Sequence, residues 1–223
     1  MIELQRADDI IGEGNAGTDQ ASTFFDDVQK AVDEKGFERV TQDDIIRYSG
    51  VPRTTLYRRY GNRDEILTAF VLNRTAADIA ECRRLAASTG SFLERFEEIL
   101  VFSILAAHRH RWLQRELERG SSSATQGILS NAFELSSEQT LVPALLQAKS
   151  RGICRCTAPL DELRQWLLHQ IFNLSRQQYS SADDARRVVR TYILPVLALD
   201  QSSTSVSEKI DFIYQHIQDC VRK

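Results

Sequence analysis

The sequence predicts an all-α protein, and three observations support this class. The 223 residues include only ten glycines and four prolines, which favours long helices over many turns. Apolar residues recur at intervals of three and four, the spacing of a helix with one buried face. Several of these stripes follow a helix-starting motif, in which Ser, Thr or Asn precedes an acidic residue by three positions. At 42% apolar and 26% charged residues, the composition is ordinary for a globular protein with a sizeable core.

The first regular element is predicted over residues 19–35. Its apolar stripe consists of Phe24, Phe25, Val28, Ala31 and Val32. Gly36 is a natural stop for this helix, because glycine readily adopts the left-handed conformation that ends helices. The preceding residues 1–18 mix three glycines with acidic side chains, so we expect a flexible arm.

Two short helices with a tight turn between them are predicted next. Thr41 and Asp44 can form a capping box, which starts a helix over residues 42–48. Gly50 gives the backbone the freedom for a sharp turn. Pro52 suits the first turn of a second helix, where its missing N–H costs nothing.

The second short helix is predicted to end near Arg59 and to have an inner and an outer face. Leu56 and Tyr60 are four residues apart and are suited to packing inward. Thr54 and Arg58 point in roughly the opposite direction. A further capping signal, Asn62 followed by Glu65, starts the next helix.

This pair of short helices carries a local positive charge. No acidic residue lies between Asp44 and Asp64, whereas five arginines do: Arg47, Arg53, Arg58, Arg59 and Arg63. The whole chain has a net charge of −3, so a nucleic acid would have to bind at this one patch. Arginine contacts phosphates and can form a bidentate contact with guanine, and threonine can contact base edges. The stretch therefore predicts a helix-turn-helix unit that binds double-stranded DNA.

At these residues the sequence resembles the tetracycline-repressor (TetR) family of bacterial transcription regulators. The matching pattern is Gly36-Phe37, Thr41, Ile45, Gly50-Val51, Leu56-Tyr57, Tyr60, Asn62-Arg63 and Glu65-Ile66-Leu67. The resemblance covers roughly one fifth of the chain. It implies a two-fold dimer with a DNA-binding end and a helical, effector-binding body, in which residues 19–67 bind DNA and residues 68–223 bind the effector and the partner subunit.

The resemblance also implies roles for single residues. Thr41 and Tyr57 are expected to contact phosphates, and Arg63 replaces a lysine that is usual at its position. Arg53, Thr54 and Thr55 are expected to face bases. The full expected DNA-binding set is Thr41, Gln42, Arg53, Thr54, Thr55, Tyr57, Arg58, Arg59 and Arg63.

The body is predicted to be a series of helices. Helices are expected over residues 63–87 (one long helix), 91–107, 112–119 and 124–149, the last with a kink or a helix start at Pro143. Three further helices are expected to begin at Leu160, after Ser181 and after Ser205. A polar corner is expected at 108–111 and a loop over 152–159. Four aromatic residues are candidate walls of an effector pocket, with plain core packing as the alternative: Phe96, Trp112, Phe133 and Trp166. The two histidines of the polar corner, His108 and His110, are expected to be solvated.

Two of the later helices carry more apolar surface than one neighbour needs. Leu160, Leu163, Leu167, Ile171 and Leu174 recur at helical spacing, and Val189, Tyr192, Ile193 and Val196 lie on the following helix. We expect these helices to pair with their copies in a second subunit as a four-helix bundle. The alternative is the core of a monomer.

Several classes of function find no support in the sequence. We find no Gly-rich phosphate loop, G-x-S-x-G motif or H-E-x-x-H motif, so we expect no enzymatic activity, no cofactor and no metal. Cys154 and Cys156 are expected to be reduced thiols, with thiol sensing as the alternative. The first 20 residues lack an apolar run and no stretch is long enough to span a membrane, so a cytoplasmic protein is expected.

Three functions remain in competition. The first is a repressor that a small-molecule effector releases from its operator. The second is a helix-turn-helix protein that a protein partner regulates and that has no pocket, which a fully packed body would favour. The third is a helical carrier or enzyme, against which the arginine-rich stretch argues.

Overall fold

The computed structural model describes residues 18–119, 123–154 and 156–198, and all regular structure in these ranges is helical, as predicted. The helices are α1 (Thr18–Lys35), α2 (Gln42–Ser49), α3 (Arg53–Tyr60), α4 (Arg63–Arg74), α5 (Ala76–Ala86), α6 (Phe92–Ala106), α7 (Arg111–Arg119), α8 (Ser123–Gln139), α9 (Leu141–Ser150), α10 (Leu160–Leu174), α11 (Ala182–Val188) and α12 (Leu194–Ala198). A 3-10 turn, Ala107–Arg109, joins α6 to α7, and a π-helical segment, Val189–Ile193, joins α11 to α12.

The predicted capping residues set the ends of α2 and α3. The Thr41 hydroxyl accepts from the Asp44 N–H at 3.1 Å, while the Asp44 carboxylate accepts from the Thr41 N–H at 3.0 Å. Gly50 ends α2 in the left-handed region, at φ 64°, and its N–H donates to the Ile46 carbonyl at 2.9 Å. Gly61 ends α3 at φ 83°, where a Cβ would overlap the Glu65 carboxylate. Glycine is thus required twice for the geometry of this unit.

The prediction of one long helix over residues 63–87 is wrong, because the helix is interrupted at Thr75, between α4 and α5. The Thr75 hydroxyl donates to the Val71 carbonyl at 2.8 Å, and the Thr75 N–H donates to the same oxygen at 3.0 Å. Threonine that bonds back to the preceding turn bends helices. The two halves also differ in burial, since every residue from Ile66 to Leu72 is buried whereas α5 buries only Ile79 and Cys82. The break lets each half follow a different neighbour.

The remaining body helices lie close to their predicted positions. The region predicted over residues 124–149 divides at Thr140 into α8 and α9, and Pro143 occupies the first turn of α9, where a missing N–H is tolerated. The helix beginning at Leu160 runs to Leu174, as its apolar stripe predicted. The cap of α11 forms as expected, with the Ser181 hydroxyl accepting from the Asp184 N–H at 3.3 Å.

The first apolar core joins the helix-turn-helix unit to the body. Phe37, from the loop after α1, stacks on Trp112 of α7 with ring centres 5.6 Å apart. Phe70 of α4 packs against the same indole at 5.3 Å. Leu129 of α8 is buried in this core too. The predicted domain boundary after Leu67 therefore lies within a continuous core. A movement of α7 would be transmitted through Trp112 and Phe37 to the loop that precedes α2.

The second core lies among α5, α6, α9, α10 and α11. A buried carboxylate, Glu97, connects α6 to the last helices. It accepts from Arg186 at 3.0 Å and from Arg190 at 2.8 Å. Arg186 also donates to Glu98 at 2.7 Å, so four side chains link α6 to α11 and the π-helical segment.

Some predictions fall outside the described residues. These are the arm, apart from Thr18, the last helix that begins after Ser205, and Cys220. Within the ranges that are described, no helix is both long enough and apolar enough to cross a membrane.

Candidate nucleic-acid interface

Helix α3 presents one face to the core and a broad face to solvent. Leu56 is completely buried, and Tyr60 stacks on Phe24 of α1 with ring centres 4.1 Å apart. These two contacts fix the rotation of the helix about its axis. The outward side chains are Arg53, Thr54, Tyr57, Arg58 and Arg59, while Thr55 is half-buried at the edge.

The solvent face of α3 combines cations with an exposed tyrosine. The side chain of Tyr57 is 48% exposed, which is unusual for a large aromatic residue. Arg58 and Arg59 have no carboxylate within ion-pair distance among the described residues. The Arg59 guanidinium lies 5.3 Å from the ring centre of Tyr60, which holds it beside the helix. This face therefore offers free guanidinium groups and a phenol to an anionic partner.

Arg53, at the first turn of α3, differs from the two later arginines because it has an acidic partner. Its guanidinium donates to the carboxylate of Asp43 on α2. Both side chains are largely exposed, at 59% and 75%. An exposed ion pair of this kind is weak, about 0–1 kcal/mol, so a nucleic acid could displace Asp43. The sequence pattern predicted Arg53 as a base contact but did not indicate the carboxylate that competes for it.

Arg63 does not face outward as the other arginines do. Its Nε donates to the Val40 carbonyl at 2.6 Å, and one terminal nitrogen donates to the carbonyls of Phe37 and Glu38 at 3.1 and 2.9 Å. The other terminal nitrogen donates to Asp64 at 2.7 Å. Four of the five guanidinium N–H groups are thus bound within the protein. These bonds tie α4 to the loop before α2, and a phosphate contact of Arg63 stays a prediction.

Thr41 and Gln42 also make contacts within the protein. The Thr41 hydroxyl donates to Asp44 at 2.6 Å, and this bond is the main reason that the pKa of Asp44 lies below its usual value. Gln42 donates to the Gly61 carbonyl at 3.2 Å, so it connects α2 to the turn after α3. Both residues fix the geometry of the helix-turn-helix unit and remain at its surface.

Comparison with known proteins agrees with this geometry. Residues 30–70 match the model of the family described as bacterial regulatory proteins, tetR family. This match is a similarity of the helix-turn-helix region to the tetR family. The matched residues run from the end of α1 to the middle of α4 and include the whole helix-turn-helix unit.

Two solved structures are similar to this chain. One is the fatty acid degradation regulator FadR from Bacillus halodurans, with 13% identity, a TM-score of 0.53, and coverage of 76% of this chain and 97% of that one. The other is the ketosteroid regulator KstR2 of Mycobacterium tuberculosis, with 21% identity, a TM-score of 0.45, and coverage of 83% and 95%. The first shares the fold. No curated protein sequence matches the chain significantly.

The body of the protein holds a cavity of about 110 Å³. It lies between α5, α6, α7, α8 and α10, and most of its wall is apolar. The larger apolar side chains around it are Phe102, Leu113, Leu117, Phe133, Leu168 and Phe172. A body with such a cavity is not fully packed, which argues against the second of the three functions considered from the sequence.

One end of the cavity is polar. Asp78 of α5 accepts from Arg109 and from the Nε2 of His110, both at 2.6 Å. The prediction of a solvated histidine corner is therefore wrong for His110, whose side chain is 19% exposed and bound to Asp78. The Nδ1 of His108 lies 2.9 Å from the side-chain nitrogen of Gln114. The partner of His110 could not be predicted from the sequence, because Asp78 lies 32 positions earlier, on α5.

The four aromatic candidates for the effector pocket do not all line this cavity. Phe133 lines the cavity. Phe96 stacks on Phe92 in the second core, with ring centres 5.4 Å apart. Trp112 belongs to the first core, and Trp166 is half-buried beside the second core. Phe96, Trp112 and Trp166 do not line this cavity, and each lies in or beside an apolar core.

The nine candidate dimer residues also divide into two groups. Leu163, Leu167, Val189 and Ile193 are buried in the second core of the single chain, so their side chains face inward. The residues that are half-exposed, and could contact a second subunit, are Leu160, Ile171, Leu174, Tyr192 and Val196. Of these, Ile171 also lines the cavity.

The described cysteines lie in the second core. Cys82, Cys154 and Cys156 are free thiols that are buried. Burial raises the pKa of the Cys82 thiol and that of the Cys154 thiol. A raised pKa lowers the thiolate fraction at neutral pH, and thiol sensing depends on the thiolate. The environment thus favours a packing role for these residues.

Proposed function

We propose that this protein is a transcriptional repressor that binds a near-palindromic operator as a dimer and leaves it when a small molecule occupies the body. Two α3 helices, one from each subunit, would enter successive major-groove faces of the duplex. Their half-sites would then lie about one helical turn apart, ~34–36 Å. The protein is thus assigned no catalytic role.

The observation that carries this proposal is the solvent face of α3. Arg58 and Arg59 lie there without an acidic partner in the described structure, beside the exposed Tyr57. The whole chain has a net charge of −3, so this face is a local exception to the overall charge. Its positive charge is suited to binding the phosphates of a nucleic acid. Buried Leu56 and stacked Tyr60 hold the helix in the rotation that points these groups outward.

The expected contacts can be sorted by role. Tyr57, Arg58 and Arg59 would bind phosphates, which positions the helix without reading the sequence. Arg53, Thr54 and Thr55 stand at the N-terminal end of α3, the end that contacts bases in helix-turn-helix proteins. Thr41, Gln42 and Arg63 would act mainly by shaping this surface, because their polar groups bind within the protein.

Release by an effector is supported by the position of the cavity. Leu113 and Leu117 of α7 line it, and Trp112 of the same helix stacks on Phe37, just before α2. A molecule in the cavity would press on α7 and so on the helix-turn-helix unit. To change operator occupancy from 99:1 to 1:99, it would have to prefer the released state by ~10⁴-fold. We therefore propose that residues 19–67 and 68–223 differ in function, DNA binding and effector binding, although they share an apolar core.

Dimerisation is assigned to α10 and to the helices α11 and α12 with their π-helical link. In a four-helix bundle, four half-exposed side chains would contact their copies in the second subunit: Leu160, Leu174, Tyr192 and Val196. A near-palindromic operator requires that the two-fold axis place both α3 helices on the same side of the dimer.

A selection of genomic DNA fragments tests this function. The full-length protein is mixed with sheared genomic DNA, retained fragments are sequenced, and the selection is repeated with a metabolite library. We expect a few fragments with a shared near-palindrome, and loss of retention with one class of metabolite. Retention of unrelated fragments with no common sequence would contradict operator recognition. Retention that no metabolite alters would contradict effector release.

A further inference from the structure

The polar groups around the cavity limit the chemistry of its ligand, an inference that rests on the proposed effector role. Five hydroxyl side chains line the cavity: Thr75, Ser103, Ser136, Thr140 and Ser175. Each donates to a backbone carbonyl three or four residues earlier, at 2.7–3.1 Å. A hydroxyl has a single proton to donate, so these groups have none left for a ligand. The walls therefore present mainly carbon.

The charge at the polar end is already balanced. Asp78 is the one formally charged side chain among the described residues that line the cavity. Its two oxygens accept from Arg109 and His110, and the Arg109 guanidinium also lies 4.7 Å from the ring centre of Phe102. A carboxylate ligand would meet the like charge of Asp78 and no uncommitted cation. An ammonium ligand would lose its hydration and compete with Arg109 for the same carboxylate.

The size of the cavity sets a second limit. A protein cavity of roughly 150 Å³ with aliphatic and aromatic walls accommodates benzene. The cavity here is about 110 Å³ and is not fully enclosed, so it has room for one ring at most. Phe102, Phe133 and Phe172 can contact the faces and edges of such a ring. A fused-ring or long-chain compound would have to displace them.

We propose that the cavity binds an uncharged, single-ring compound that carries one hydroxyl group. The ring lies among the three phenylalanines, and the hydroxyl lies at the end formed by Asp78 and His110. There it donates to the Asp78 carboxylate, whose oxygens each have a second lone pair. Binding at this point contacts α5 and the corner that precedes Trp112, which connects the ligand to the helix-turn-helix unit.

Calorimetric titration of the full-length protein with matched probes tests the proposed class. Benzyl alcohol, benzoate and benzylamine share a ring and differ in charge, and 1-decanol shares the hydroxyl and differs in length. We expect benzyl alcohol to bind about tenfold or more tightly than each of the others, a difference of about 1.4 kcal/mol or more. A charged or long probe that binds as tightly as benzyl alcohol would overturn the proposal. Absence of benzyl alcohol binding at millimolar concentration would also overturn it.

A pair of matched substitutions tests the location. Ser136→Leu fills the cavity, whereas Ser150→Leu makes the same change at the exposed end of α9. Both hydroxyls donate to a carbonyl three residues earlier, so both variants lose the same bond. We expect the first to weaken benzyl alcohol binding about tenfold and the second to leave it unchanged. Equal affinity in the two variants would place the ligand elsewhere.

An enlarged cavity gives a second measurement that does not depend on loss of binding. Phe133→Ala removes one aromatic wall, so the variant should bind 1-naphthalenemethanol, a two-ring alcohol that the natural protein excludes. Exclusion of this alcohol by the variant would contradict the assigned position of the ring.

DNA release is measured separately, by fluorescence anisotropy of a selected operator fragment. If benzyl alcohol binds in the cavity and the DNA stays bound, the proposed effector role fails and the ligand class stands. If benzoate or benzylamine binds there more tightly and releases the DNA, the ligand class fails and the proposed function stands.

Discussion

At the scale of single residues, Arg58 and Arg63 show why a basic stretch is not equivalent to a binding surface. Both belong to the acid-free run, yet Arg58 points to solvent while Arg63 binds three backbone carbonyls of the loop before α2. Composition predicted the positive charge of this stretch. It could not predict which guanidinium groups are bound, because the carbonyls that hold Arg63 lie more than 20 positions earlier in the chain.

The ion pair between Asp43 and Arg53 makes a prediction about affinity. Asp43→Asn removes a carboxylate that holds Arg53 and that would repel phosphates near α2. We expect tighter binding to duplex DNA, by up to about 1 kcal/mol, and a larger gain at low salt. Fluorescence anisotropy measures the affinity. Glu81→Gln breaks a comparable exposed pair with Arg84 on α5 and should change nothing, so equal effects of the two variants would refute a specific role for Asp43.

Tyr57 and Arg53 are expected to affect binding in different ways. Tyr57→Phe removes a phosphate contact, so affinity should fall by about 0.5–1.5 kcal/mol for all sequences. Arg53→Ala should instead relax the preference at one base pair, by about 1–3 kcal/mol. Competition binding with a set of single-base operator variants separates the two effects. A Tyr57→Phe protein with unchanged affinity would count against the phosphate assignment.

At the scale of helices, the sequence predicted those elements whose ends carry local chemistry. The capping residues Thr41 and Ser181 begin α2 and α11 as expected, and Leu160 begins α10. The break at Thr75 was missed, because threonine is compatible with a helix and the bond from its hydroxyl to the Val71 carbonyl does not always bend one. The same limit applies to the cavity, whose polar end joins residues that are far apart in the chain.

The link between α6 and the last helices rests on one buried acid. Glu97 is 5% exposed and accepts from Arg186 and Arg190. Glu97→Gln keeps the size of the side chain but weakens both charge-assisted bonds, so we expect a loss of about 1–3 kcal/mol in the free energy of unfolding. Urea denaturation measures this loss. Glu162→Gln, an exposed change on α10, is the matched control, and similar stability of the two variants would show that the link is unimportant.

At the scale of the whole molecule, the account requires two subunits. Tyr192 and Val196 are half-exposed, four positions apart, and belong to neither apolar core of the described chain. Replacing both with glutamate would place like charges opposite each other across a two-fold bundle. We expect sedimentation equilibrium to give the mass of two chains for the natural protein and of one chain for the double variant. A natural protein that sediments as one chain at micromolar concentration would exclude the dimer.

The most direct test of the central claim is the salt dependence of DNA affinity when the free arginines of α3 are removed. Arg58→Ala/Arg59→Ala is compared with Arg83→Ala/Arg84→Ala, an adjacent pair on α5 that makes the same change in charge. If each dimer places four α3 arginines on phosphates, the slope of log K against log salt should decrease in magnitude by about 3–4 for the first variant. The slope for the second should equal that of the natural protein. Equal slopes for all three proteins, or no retention of duplex DNA at low salt, would contradict the account.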